Sequence, residues 1–225
     1  MQKKPALRHW NNLHTACAGI RSAPNAATTM NGIDQLTASD ISQRLQQRGA
    51  TTHDVALDAC REAGVLVPFV RMDNAWHLLF IRRPESVRDY HSGQVAFAGG
   101  KRDPEDTDLT ATALREAHEE IGILPQDVDI LGQLNPHHSV SRFLIVPTVA
   151  RVPWPYELVL SPQEVARAFT IPLTWLAQPQ HHQIRYRHLT DVPEPIPIVY
   201  FQEYDGEILW GATARITLSL LACLQ

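Results

Sequence analysis

The sequence predicts a mixed α and β protein. Three observations carry that prediction: an uninterrupted helix-forming stretch at 109–121 entered from a glycine-rich loop, β-branched and aromatic runs that read as hairpins at 65–81 and 196–210, and an apolar helical run at 212–224. Hydrophobic residues make up 44% of the 225-residue chain, enough for the core of one domain carrying an extension. The net charge of −4 gives no electrostatic case for nucleic-acid binding. Three widely spaced cysteines (Cys17, Cys60 and Cys223) argue against a disulfide framework or a zinc site and for a reducing compartment. No stretch approaches the roughly 18 apolar residues of a membrane-spanning helix, so no membrane partner is expected and the expected location is the cytoplasm.

Residues 1–37 read as a variable, partly disordered extension, or as sequence upstream of a translation start at Met30. Lys3, Lys4, Arg8 and Arg21 precede the first acid, Asp34. A transit peptide has that bias too, but serine is scarce and no continuous amphipathic pattern appears. Residues 38–64 read as a helical addition in two pieces broken at Gly49, started at Ser39-Asp40 and at Thr52 or Asp54. The main domain is expected over 65–225. Its first hairpin joins 65–70 to 76–81 through Asp73-Asn74.

The stretch that carries chemistry begins at Gly99-Gly100. Asp108 stands as N-cap and Gly122 as C-terminal stop of the helix that follows, and Ala, Leu, Arg and Glu dominate its interior. At about 100° per residue, Leu114, Ala117 and Ile121 share one stripe. Glu116, Glu119 and Glu120 then fall on the other side and face a common volume. Three like charges there weaken the helix unless a cation offsets them, and hard cations such as Mg²⁺ or Mn²⁺ take oxygen ligands of this kind. Arg82, Arg83, Arg88, His91, Lys101 and Arg102 cluster around this stretch, and arginine presents bidentate donors to phosphate.

Beyond the helix, strands are expected at 128–134 and 143–151, with a turn at 135–138. Adjacent histidines on a strand point to opposite faces, so His137-His138 reads as loop surface, as does His181-His182. Prolines mark a loop from 152 to about 163 that delivers Glu164. Residues 178–194 read as a surface excursion. Asp205-Gly206 turns the hairpin of 196–204 and 207–210, and Ile216, Leu220 and Leu224 share the apolar face of the last helix.

The string Gly100, five residues, Asp106, eight residues, then Arg115-Glu116-Ala117-His118-Glu119-Glu120-Ile121-Gly122-Ile123 resembles the Nudix box of diphosphate-cleaving hydrolases. It departs in two places: Asp106 stands where the family has Glu, and the spacer is one residue longer. The flanks resemble the coenzyme A pyrophosphatase branch. Leu78-Leu79-Phe80-Ile81-Arg82, Arg88 and Gly93-Gln94-Val95-Ala96-Phe97-Ala98-Gly99-Gly100 match its strand and turn, with Ala98 for the usual Pro. Residues 140–147, Glu164-Val165, 171–173 and 210–214 match in order, so the resemblance spans about 66–224.

The resemblance implies a Nudix fold, α/β/α, in which a mixed β-sheet is sandwiched between helices. It implies Mg²⁺ or Mn²⁺ held by Glu116, Glu119, Glu120 and the Gly99 carbonyl. Arg115 would orient the box carboxylates, and Glu120 or Glu164 would be the general base. Arg82, Arg88, His91, Gln94, Lys101 and Arg102 are the expected substrate contacts, and a small diphosphate of the coenzyme A type is the expected substrate. Two alternatives stand beside it: hydrolysis of ADP-ribose, nucleotide sugars or dinucleotides, and a non-catalytic nucleotide-binding regulatory module. The sequence leaves open whether the chain forms a homodimer.

Overall fold

The computed structural model describes residues 30–48, 61–85, 92–139, 142–188 and 194–225. Strand β1 (Arg61–Met72) turns through Asp73-Asn74 into β2 (Ala75–Arg82), with Met72 opposite Ala75. Both turn residues have positive φ, 46° and 63°. That is the two-residue geometry that follows strand twist, and Asp and Asn tolerate it.

The main sheet adds β3 (Val95–Ala96), β4 (Gly99–Lys101), β5 (Asp129–Gln133), β6 (His137–His138), β7 (Phe143–Arg151) and β8 (Arg167–Pro172). Its order is β3-β2-β1-β7-β5, with β4 on β1, β6 on β7 and β8 on β2. The central pair, β1 with β7, is parallel, and its neighbours are antiparallel, so the sheet is mixed as expected. A second sheet of β9 (His182–Arg187), β10 (Ile196–Tyr204) and β11 (Glu207–Trp210) includes the hairpin at Asp205-Gly206.

Alternation along β1 and β2 sends side chains to two cores. Leu66, Val70, Leu79 and Ile81 pack with Ala113, Ala117 and Ile121 of helix α2 (Leu109–Ile121). Val67, Phe69, Leu78 and Phe80 face the other way. They meet α1 (Ala38–Arg48), α3 (Leu173–Leu176) and α4 (Gly211–Leu224) through Ile41, Leu45, Leu173, Ile216, Leu220 and Leu224. Helices therefore cover both faces, which is the predicted sandwich.

Four expectations are corrected. Residues 61–64 are strand, not helix: they pair with β7 from Arg61 opposite Phe143, a non-local contact that overrides their weak β-propensity. Residues 178–194 are not a mere excursion, since β9 lies within them and pairs with β10. The first helix begins at Ala38, the expected start of the helical stretch, but that start is set by Thr37, which forms a reciprocal capping box with Asp40, rather than by Ser39. The histidine doublets belong to ordered elements. His137-His138 pairs with β7, while His181 stacks on Trp175 with ring centroids 4.3 Å apart and His182 opens β9. The second helical piece expected after Gly49 lies outside the described residues.

Helix α2 lies close on β1 because residue 64 is glycine. A Cβ there would fall 2.3 Å from the Leu109 carbonyl oxygen and 3.0 Å from the Ala113 nitrogen, both backbone atoms of the helix. Gly64→Ala is accordingly expected to lower unfolding stability by about 1–3 kcal/mol, an ordinary overpacking cost. Urea denaturation measures it, and an unchanged midpoint would refute the close approach.

Candidate active site

Helix α2 starts and stops as its caps dictate. The Asp108 carboxylate accepts the Ala111 N–H at 2.8 Å, and Gly122, with φ of 73°, returns its N–H to the Ala117 and His118 carbonyls. Strand β4 lies alongside. Its Gly99 N–H donates to Glu120 Oε2 at 3.0 Å, and the Glu116 carboxylate occupies the space beside Gly100, where a Cβ would come within 2.5 Å of it. The two glycines thus let a backbone strand approach two carboxylates one helical turn apart.

The carboxylates differ in environment, and the expected grouping of all three opposite the apolar stripe does not hold for Glu120. Glu120 is only 2% exposed and lies on the packed side of the helix. Burial pushes its carboxyl up to about 7, against the opposing pull of the Gly99 N–H and Arg83, while Glu116 and Glu164 push it further up. Burial also raises Glu116, partly offset by Arg115. Glu119 is exposed and turned toward Arg115. Glu164 sits in a turn, its N–H donating to the Ser161 carbonyl, and its charge acts on both Glu116 and Glu120. A loop residue far along the chain therefore lies within electrostatic reach of the helical acids.

Arg115 organises this cluster. Its Nε and Nη2 take both oxygens of Asp106 at 3.0 and 3.1 Å, its Nη1 reaches Glu116 and Glu119, and its Nη2 also donates to the Lys101 carbonyl. Asp106 is buried and accepts two further bonds, from the Thr112 hydroxyl and the Asp103 N–H. The Arg115 bonds hold its carboxyl well below the usual range.

The basic residues divide. Arg82 pairs with Glu85 and lies 3.8 Å from Glu207. Arg102 is engaged by Glu62 and by the carbonyls of Asp106 and Thr107, so it braces the loop. Lys101 is exposed, and Gln94 gives its backbone carbonyl to the Arg83 N–H. Arg88 and His91 lie outside the described residues. Arg83, part of the sequence cluster but not among the expected substrate contacts, puts Nη1 3.9 Å from Glu120 Oε1. Burial pushes His137 down to about 3. Among the described residues, no three His, Cys, Asp or Glu groups converge as a ready-made metal cage.

The sequence profile of the NUDIX domain matches residues 61–192, more than half of the chain. The chain belongs to the Nudix hydrolase family. A relative from Photorhabdus laumondii, described as an uncharacterized Nudix hydrolase NudL, is 36% identical over 84% of this chain and 99% of its own length. A protein of the same description from Yersinia pestis is 40% identical over 69% of this chain and 76% of its own. Among solved structures, a C. elegans Ap4A hydrolase covers 50% of this chain and 80% of its own at 19% identity, with a TM-score of 0.43. The NUDIX domain of Shewanella oneidensis NrtR, complexed with ADP ribose, covers 54% and 79% at 21% identity, with a TM-score of 0.40.

In this Nudix domain the two departures from the box have a physical meaning. Asp106 stands where the family has Glu, and it forms the fork that holds Arg115 across the longer spacer. No helix among the described residues is long and apolar enough to cross a membrane.

Proposed function

We propose that this Nudix hydrolase cleaves the diphosphate bond of coenzyme A or its derivatives, releasing 3′,5′-ADP and 4′-phosphopantetheine or its acylated form. The observation that carries the reading is the convergence on one buried carboxylate of the two flanking pieces that resemble the coenzyme A pyrophosphatase branch. Arg83, at the end of the Leu78–Arg82 piece, approaches one oxygen of Glu120, and Gly99, at the end of the glycine turn, donates to the other.

The donor set fits a hard divalent cation. The buried Glu120 and the half-buried Glu116 are both raised by burial, Glu164 adds like charge, and the guanidinium of Arg115 is already forked onto Asp106. Mg²⁺ or Mn²⁺ would be held by Glu116, Glu119, Glu120 and the Gly99 carbonyl, and when bound it supplies charge neutralisation for the diphosphate and a lowered pKa for a water. Glu120 or Glu164 would take the proton of the attacking water as its oxygen attacks one phosphorus. The bridging P–O bond breaks, and the second phosphate departs with the bond's electrons. Arg83 is aimed to neutralise phosphate charge beside Glu120. Arg115 touches no substrate and acts by holding Glu116 and Glu119 in place.

Product analysis of coenzyme A incubated with the protein and Mg²⁺ or Mn²⁺, with EDTA as control, tests the reading. The expected result is metal-dependent appearance of 3′,5′-ADP and phosphopantetheine. Cleavage of ADP-ribose with coenzyme A untouched would discard the coenzyme A assignment and keep the hydrolase. Silence on every diphosphate would favour a binding module.

A further inference from the structure

Beside the carboxylates, between the last turn of α2 and the loop of residues 155–161, runs a groove of about 620 Å³. Its walls include His118, Glu119, Leu124, Tyr156, Glu157 and Val159. The volume is that of a small-molecule site. Val159 is 68% exposed and Leu124 37%, so two apolar side chains face solvent along it. The wall is fixed rather than loose. The Val159 and Ser161 N–H groups donate to the Ile121 and Glu120 carbonyls, and the Tyr156 hydroxyl accepts from the Leu124 N–H and reaches Asp127.

Two features say what the groove accepts. It adjoins the reaction site through Glu119, which lines it, and Ser161 fixes its wall to the backbone of Glu120. Its charged lining residues are Glu119 and Glu157, with no lysine or arginine among them, so it repels phosphate. Arg83 stands instead at Glu120, together with the end of β2. The site therefore has an acidic, half-apolar side and a basic side.

We propose that this groove binds the neutral, amide-bearing pantetheine arm of the substrate, leaving the phosphorylated nucleoside on the arginine side. The inference rests on the coenzyme A reading and adds the substrate's direction across the site. The branched dimethyl carbon of the arm covers Val159 and Leu124, and its amides meet the polar rim of His118 and Ser161.

The test is a titration of methyl-labelled full-length protein with pantetheine, and separately with 3′,5′-ADP, followed by NMR. Pantetheine is expected to shift the methyls of Leu124, Val159 and Leu160, and 3′,5′-ADP to leave them in place. Val159→Asp is expected to raise KM for coenzyme A about tenfold, the scale of a disturbed apolar contact, with kcat kept within about twofold. Groove methyls that ignore pantetheine, or that answer 3′,5′-ADP instead, overturn the proposal, as does an unchanged KM in Val159→Asp. The two readings fail separately: coenzyme A left intact by the unaltered protein refutes the substrate, whereas cleaved coenzyme A with silent groove methyls refutes the groove.

Discussion

Glu120→Gln is expected to reduce turnover by about 10³-fold, within the range for loss of a proton-transferring group, and to make the metal-free protein more stable at alkaline pH. The second half follows from burial. The Glu120 carboxyl is raised from 4.5 to about 7 in the folded chain. Its neutral form is therefore the one folding favours: the contribution is fully present below pH 4.5 and is lost as pH climbs through 7. The ionised form costs about 3 kcal/mol relative to an exposed carboxylate, by the conversion of pKa shift into free energy. Gln keeps an oxygen for the Gly99 N–H and carries no charge. Thermal unfolding in EDTA at pH 5 and pH 8 should show the unaltered protein losing more stability than Glu120→Gln between the two, and Mg²⁺ at pH 8 should restore it in the unaltered protein only. Parallel pH profiles, or a variant that keeps more than a few per cent of the rate, would take Glu120 out of the centre of the site.

Asp106→Ala should be the most destabilising single change near the site. The carboxylate is buried and accepts four hydrogen bonds, two from Arg115 and one each from Thr112 and Asp103. Breaking a buried ion pair from one side costs about 3–5 kcal/mol. The lower end applies here, because the Arg115 side chain is 26% exposed and water can reach it. Since the folded carboxyl lies below its unfolded value of 3.8, the clamp contributes at all pH values above that and fades only as pH falls below it. Urea midpoints should therefore separate the variant from the unaltered protein at pH 7 and still separate them, by somewhat less, at pH 3. Activity should fall too, because the freed guanidinium no longer fixes Glu116 and Glu119. Full activity with an unchanged midpoint would mean that Arg115 needs no anchor.

Much of this was legible from local signals. The caps Asp108 and Gly122 bound α2 to the residue, and Asp73-Asn74 and Asp205-Gly206 located two hairpins. What stayed hidden depends on partners far along the chain. Arg61-Glu62-Ala63-Gly64 has no β-branched residue, and pairing with β4 and with β7, some eighty positions later, makes it a strand. The burial of Glu120 contradicts its residue type and is explained by an N–H donated from Gly99 across 21 positions. Arg83 differs from Arg82 only in pointing to the opposite side of the strand end, a distinction invisible in a run of basic residues. Strand β9 did carry a signal: Ile184 and Tyr186 alternate with Gln183, Arg185 and Arg187, though the surrounding prolines and histidines masked it.

The segment between Val152 and Ala166 is suspended at three places: Val159 and Ser161 hang from the end of α2, and Ala166 hangs from Arg82 of β2. Every one of these ties is main chain to main chain. Side chains at Glu157 and Val159 can therefore be exchanged while the path of the strap persists, and the box helix need not register the change. Selection on substrate shape can act there without touching the residues that break the bond, so one hydrolytic centre can be refitted to new diphosphates by drift in a single connection.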